Sequence, residues 1–86
     1  MYQIRLLKEA VRDLEKLDKV IARRIIKRIN RLAENAEIIK PKGLRNNLAG
    51  FDKLREGDYR IIYETIHAEE LIIIHFIGHR SEVYKK

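Results

Sequence analysis

Cysteine is absent from this 86-residue chain. Disulfide staples, a thiolate nucleophile and cysteine-based zinc sites are therefore excluded. Long apolar runs are also missing. The longest are Leu71-Ile72-Ile73-Ile74 and, beyond His75, Phe76-Ile77. That is strand length, far short of the ~18 residues a membrane-spanning helix needs. No charged-then-apolar leader pattern opens the chain, so a cytoplasmic protein without membrane attachment is expected. Acidic residues are the scarcer charge, 13 against 19 Lys and Arg, leaving a net charge of +6. That sign favours a polyanionic partner, although it does not distinguish nucleic acid from an acidic protein or an anionic surface. Proline occurs once and glycine four times, so few positions force a turn. The length suits one domain over residues 1–86, and 45% hydrophobic residues suffice for one modest core.

Tyr2 to Leu6 alternates loosely and predicts a first strand. From about Lys8 the period changes: Leu7, Val11, Leu14 and Leu17 recur at spacings of three and four, the mark of one helix face. Asp18 suits a break and an N-cap. A second helix then carries an apolar stripe of Ile21, Ile25, Ile29, Leu32, Ala33 and Ala36, with Arg24, Lys27, Arg28 and Arg31 largely on another side. The short link predicts that the two helices pair as an αα-hairpin. Glu37 to Gly50 contains Pro41, two glycines and Asn46-Asn47, which predicts a surface loop. Three strands follow: Phe51 to Arg55, Tyr59 to Ile66 and Leu71 to Ile77. They are joined by turns at Glu56-Gly57-Asp58 and His67 to Glu70, and Gly78 is expected to end the sheet. Such short links imply antiparallel pairing. The expected fold is α+β, order β-α-α-β-β-β, two N-terminal helices on one face of a small antiparallel sheet.

Side chains alternate across a strand, and helices can cover one side only. The other side should then gather Lys53, Arg55 and Arg60, with Arg80 just past the last strand. His75, between Ile74 and Phe76, is expected to be structural; His67 falls in a turn. Glu64 can line the open face, but as a lone carboxylate it makes no acid–base pair.

Two stretches are more specific than these periodicities. Lys53-Leu54-Arg55-Glu56-Gly57-Asp58-Tyr59-Arg60-Ile61-Ile62-Tyr63 and the tail Ile77-Gly78-His79-Arg80-Ser81-Glu82-Val83-Tyr84 resemble, in order and spacing, motifs of the RelE/ParE superfamily of toxins from type II toxin–antitoxin systems. The N-terminal helix pair is similar too, so the resemblance spans nearly the whole chain.

The resemblance implies a microbial RNase-like fold. For the RelE-like branch it implies ribosome-dependent cleavage of mRNA in the A site, by attack of a 2′-OH on the adjacent phosphate. It implies no metal and no cofactor. It further implies a RelB-like antitoxin in a toxin–antitoxin hetero-oligomer, with mRNA and rRNA as the other partners. Such chemistry needs a proton acceptor, cations facing the phosphorane, an acid for the leaving 5′-oxygen and a platform for the nucleotide. By the resemblance, Arg60 contacts the scissile phosphate, Arg80 stabilises the transition state or donates a proton, and Tyr84 stacks on or orients the nucleotide. Lys53 matches the second of two family lysines, which implies a base or electrostatic stabiliser; Phe51 occupies the position of the first, a departure from the lysine-pair pattern. His79 matches a position where His or Lys occurs, and an imidazole transfers protons near neutral pH far more readily than a guanidinium. Arg55, Arg24, Lys27, Arg28 and Arg31 are candidate RNA-phosphate contacts, whose grip would weaken with salt. Two other readings stay open: a ParE-like toxin that poisons DNA gyrase, whose branch generally lacks the Arg60, His79, Arg80 and Tyr84 set, and a non-catalytic basic RNA-binding module.

Overall fold

The structure, a computed structural model, describes residues 1–37, 42–43 and 50–85. Along the chain these form β1 (Gln3–Leu6), α1 (Lys8–Glu15), α2 (Lys19–Glu34), β2 (Lys42–Gly43), β3 (Asp52–Glu56), β4 (Tyr59–Ile66) and β5 (Leu71–His79). Short 3₁₀ turns follow at His67–Glu69 and Val83–Lys85. The loop expected over Glu37 to Gly50 lies mostly outside the described residues, and its Lys42–Gly43 pair forms β2 against Lys53 and Asp52.

Asp18 starts α2 as a helix start requires. Its backbone is extended, and its carboxylate accepts the Val20 N–H at 3.2 Å, satisfying a donor that has no partner inside the helix. The α2 stripe is buried as its spacing predicts: Ile25, Ile29, Leu32, Ala33 and Ala36 all face the core. In α1 the buried residue is Ala10, with Leu14 and Leu17 packed against the core. Leu7 and Val11, expected on that face, stay exposed. Leu7 is the N-cap with extended backbone, so it lies off the helical wheel that its spacing suggested. Both helices lie on the sheet, α1 mainly against β5 and α2 against β1 and β3.

The sheet order is β1-β5-β4-β3-β2. The three long C-terminal strands run antiparallel, whereas β1 lies parallel to β5, so the sheet is mixed rather than purely antiparallel. The helical crossover makes this parallel return feasible. β1 covers β5 only through Ile74; beyond it, the Ile77 N–H donates to the Asp13 carboxylate of α1 at 2.8 Å. β5 continues through Gly78, which pairs with Arg60, and ends at His79 opposite Tyr59. Gly78 therefore does not terminate the sheet.

Register shifts once. Ile62 opposes Phe76, and Tyr63 opposes Ile74, so His75 is an extra residue, a β-bulge. The sheet buries apolar residues on both sides. On the helix side, Tyr2, Ile61, Tyr63, Ile72, Ile74 and Ile77 join the helix stripe in the main core. On the other side Ile62, Phe76 and Val83 form a small second cluster, with Phe51 against it. Val83 belongs to the tail, which folds back over the sheet. It packs beside Gly78, where a Cβ would stand 3.4 Å from the Val83 Cβ.

Candidate functional site

The side of the sheet away from the helices carries most of the polar residues singled out by the motifs. Cross-strand register arranges them in three rows, roughly 6.6–6.8 Å apart at two residues per step. Arg55, Arg60 and Gly78 form the row nearest the β3–β4 turn; Lys53, Ile62 and Phe76 form the next. In the third, Glu64 lies opposite Ile73, which in turn is beside Arg5 of β1, and the bulged His75 bonds Glu64 and stacks on Phe51.

Arg60 is 9% exposed, the sole buried charged residue among those described. Its Nη1 donates to the carbonyls of Gly57 and Tyr59, both at 3.0 Å. The guanidinium thus braces the turn in which Gly57 takes φ +58°, and its charge is fixed in place by the backbone. Arg80 differs in setting. Its N–H donates to the Asp58 carbonyl at 2.7 Å, which anchors the backbone. Its side chain is 60% exposed, and Nε lies 3.8 Å from the Asp58 carboxylate. An ion pair so exposed contributes under about 1 kcal/mol, so the guanidinium can swing to another anion at little cost.

Lys53 and Tyr84 meet on the middle row. The ammonium sits 5.8 Å from the centre of the tyrosine ring, within cation–π range. Tyr84 is 41% exposed and is held there because the preceding Val83 is buried against Ile62 and Phe76. An exposed aromatic ring beside a cation is a surface on which a nucleotide base and phosphate can settle.

The third row was not legible as a unit from sequence. His75 Nε2 and Glu64 Oε1 are 2.8 Å apart, and the His75 ring stacks on Phe51 at 4.3 Å with 26° between planes. The bulge brings this about by turning His75 and Phe76 toward one side. The available signal was the polar pair Glu64 and His75 within otherwise apolar strands facing one another across a hairpin.

His79 is not brought to this side. Opposite Tyr59 and in step with Ile77, it faces the helices, edge-on to the Tyr59 ring at 5.6 Å. Its Nδ1 accepts the Ser81 N–H at 3.1 Å, which leaves Nε2 to carry the proton of the neutral ring. There it lines a cleft of about 340 Å³ with Asp13, Lys16, Leu17, Tyr59 and Glu82. Arg24, Lys27 and Arg31 are exposed on α2. Arg28 Nε donates to the Arg55 carbonyl at 3.2 Å, tying α2 to β3. The helix cations therefore flank the sheet edge rather than its open side.

The displaced proton affinities also lie elsewhere. Burial, and then the Asp52 carboxylate, push Tyr63 up to about 12. Burial raises Asp52, with His67 opposing. Tyr2 is raised by burial and by Glu37 and Glu70, while its hydroxyl bonds His67 Nδ1 at 2.8 Å. Among the described residues no three His, Asp or Glu side chains gather as a metal site.

Comparison with known proteins draws these features together. The family described as "ParE toxin of type II toxin-antitoxin system, parDE" matches residues 4–84. Toxin RelE of Mycobacterium tuberculosis is 31% identical over 98% of this chain and 87% of its own length. Toxin RelG of the same organism is 28% identical over 99% of this chain and 98% of its own. Among solved structures, a chain of the toxin–antitoxin complex RelBE2 from M. tuberculosis superposes with a TM-score of 0.81 at 29% identity, covering 94% of this chain and 93% of that one.

Proposed function

This chain belongs to the RelE/ParE superfamily of type II toxins, and from that premise we propose that it is a ribosome-dependent endoribonuclease that cleaves mRNA and is neutralised by an antitoxin. The observation that carries the proposal is the open side of the sheet, where Lys53 lies over the Tyr84 ring beside the fixed charge of Arg60.

A base seated on Tyr84 leaves its phosphate among Lys53, Arg60 and Arg80. The 2′-OH attacks phosphorus, the O2′–P bond forms as P–O5′ breaks, and a 2′,3′-cyclic phosphate and a 5′-OH result. Negative charge grows on the non-bridging oxygens, and a cation that is already held in place stabilises it without reorganisation. Arg60 supplies a charge of that kind from beneath the surface. Arg80, exposed and loosely held by Asp58, is suited to grip the phosphate directly with its planar fork. Ribosome dependence fits an open, shallow face to which mRNA must be presented. The exposed α2 cations Arg24, Lys27 and Arg31 are then available to rRNA phosphates.

The antitoxin follows from the relatives, since the superposed toxin was solved in a toxin–antitoxin complex. A chain of charge +6 favours an acidic partner, which would cover the open side or lift the tail that carries Arg80 and Tyr84. The matched family is named for ParE, which favours gyrase as the alternative target.

Primer extension on ribosome-bound mRNA tests the proposal. Cuts at codon-defined positions are expected, with Arg60→Ala and Arg80→Ala each at least ~100-fold slower. Only Arg60→Ala should also lower stability, by about 1–3 kcal/mol, because it strands two carbonyls. Intact mRNA together with gyrase-dependent DNA breaks would transfer the assignment to gyrase.

A further inference from the structure

The chemistry just described still lacks a proton acceptor. Lys53 is a cation engaged with Tyr84, arginines do not deprotonate, and His79 faces the helices. We propose that His75, oriented by Glu64, accepts the 2′-OH proton; this rests on the ribonuclease reading above.

Three features converge on His75. First, Glu64 lies 2.8 Å from Nε2. A carboxylate accepts the Nε2–H and leaves the Nδ1 lone pair as the basic site, and it steadies the imidazolium once a proton arrives. Among the described residues nothing hydrogen-bonds Nδ1. Second, Phe51 fixes the ring plane by stacking at 4.3 Å. Position 51 thus supplies a ring that aligns an imidazole. Third, the placement suits the reaction. His75 is on the same side of the sheet as Tyr84 and Lys53, one row along, while its side chain is 21% exposed, accessible yet confined. With the base on Tyr84 and the phosphate against Lys53, the ribose lies on the middle row, beside His75.

The step balances. The 2′-OH proton passes to His75 Nδ1 as O2′–P forms. The departing 5′-oxygen takes a proton from water, and the hydroxide left behind is neutralised by the proton that His75 then releases. The other charged or titratable groups on this side are Glu64 and Arg60 on β4, Lys53 and Arg55 on β3, Arg5 on β1, and Arg80 and Tyr84 on the tail.

Single-turnover cleavage of ribosome-bound mRNA across pH 5–9 tests this with wild type, His75→Gln and Glu64→Gln, folding being checked by thermal unfolding. Wild type should gain rate with rising pH through the imidazole range. His75→Gln should be slower by ~100-fold or more, the usual contribution of a positioned acid or base, and lose that rise. Glu64→Gln should keep the rise but shift it to lower pH, because the imidazolium has lost its anionic partner. An mRNA with sulfur in place of the scissile 5′-oxygen, whose leaving group needs no proton, should leave the His75→Gln defect unchanged. A defect erased by that sulfur makes His75 the acid and overturns the proposal, as does a His75→Gln enzyme with the wild-type pH rise. If His75→Gln does not fold, the presence or absence of the Glu64→Gln shift decides. A wild type that cuts no mRNA removes the ribonuclease reading itself, a result distinct from an active wild type indifferent to His75.

Discussion

The two faces of the sheet are made by the same strands and the same alternation, yet they do different work. The helix-covered face is sealed: Ile25, Ile61, Ile72 and Ile74 are fully buried, and they are held by removal of apolar surface from water. The open face has only Ile62, Phe76 and Val83 at its centre. Around that small patch are cations, a carboxylate–imidazole pair and an aromatic ring, oriented by hydrogen bonds and stacking. Apolar burial is thus concentrated on one side of a single layer of backbone, and charged and polar side chains on the other. Residues adjacent in sequence, such as Arg60 and Ile61, belong to different tasks.

The largest effect expected from breaking this division is on the sealed side. Ile61→Ala should cost about 2–5 kcal/mol in urea unfolding, from lost burial and the cavity left behind. Next comes alkaline pH. Below pH 10 the folded and unfolded chains both keep the Tyr63 proton, so its contribution is intact. Between pH 10 and about 12 the unfolded chain releases the proton first, and stability falls by up to roughly 1.4 kcal/mol per pH unit. Tyr63→Phe should remove that part of the slope, as read from unfolding curves at several pH values. The smallest effect sharpens the open side. Gly78→Ala places a methyl against Val83 at 3.4 Å, an ordinary contact distance, so it should leave stability within about 0.5 kcal/mol and amide exchange at Val83 and Tyr84 unchanged.

How far the sequence could be read follows from whether each signal is local. The α2 stripe, the Asp18 cap and the full span of β4 were legible, because periodicity and capping act within a few residues. The placement of Lys53, Arg55 and Arg60 on one side followed from counting by twos. Three things did not. The parallel partner of β1 depends on a long-range choice that no local pattern records. The bulge at His75 is one inserted residue; alternation carried past it puts His75 and Phe76 on opposite sides, and so the Glu64 pairing stayed hidden. Gly78 suggested a stop, yet the strand runs through it to His79 with the tail packed alongside.

The seat of β1 beside β5 also bears on how the molecule is made. The first strand to be synthesised has to wait for the last one, so the sheet cannot close until nearly the whole chain is available. A contact so distant in sequence comes late and slowly in folding. The open face, which draws Gly78, Val83 and Tyr84 from the final residues, is completed no sooner. A chain that has not yet reached β5 therefore lacks the finished surface.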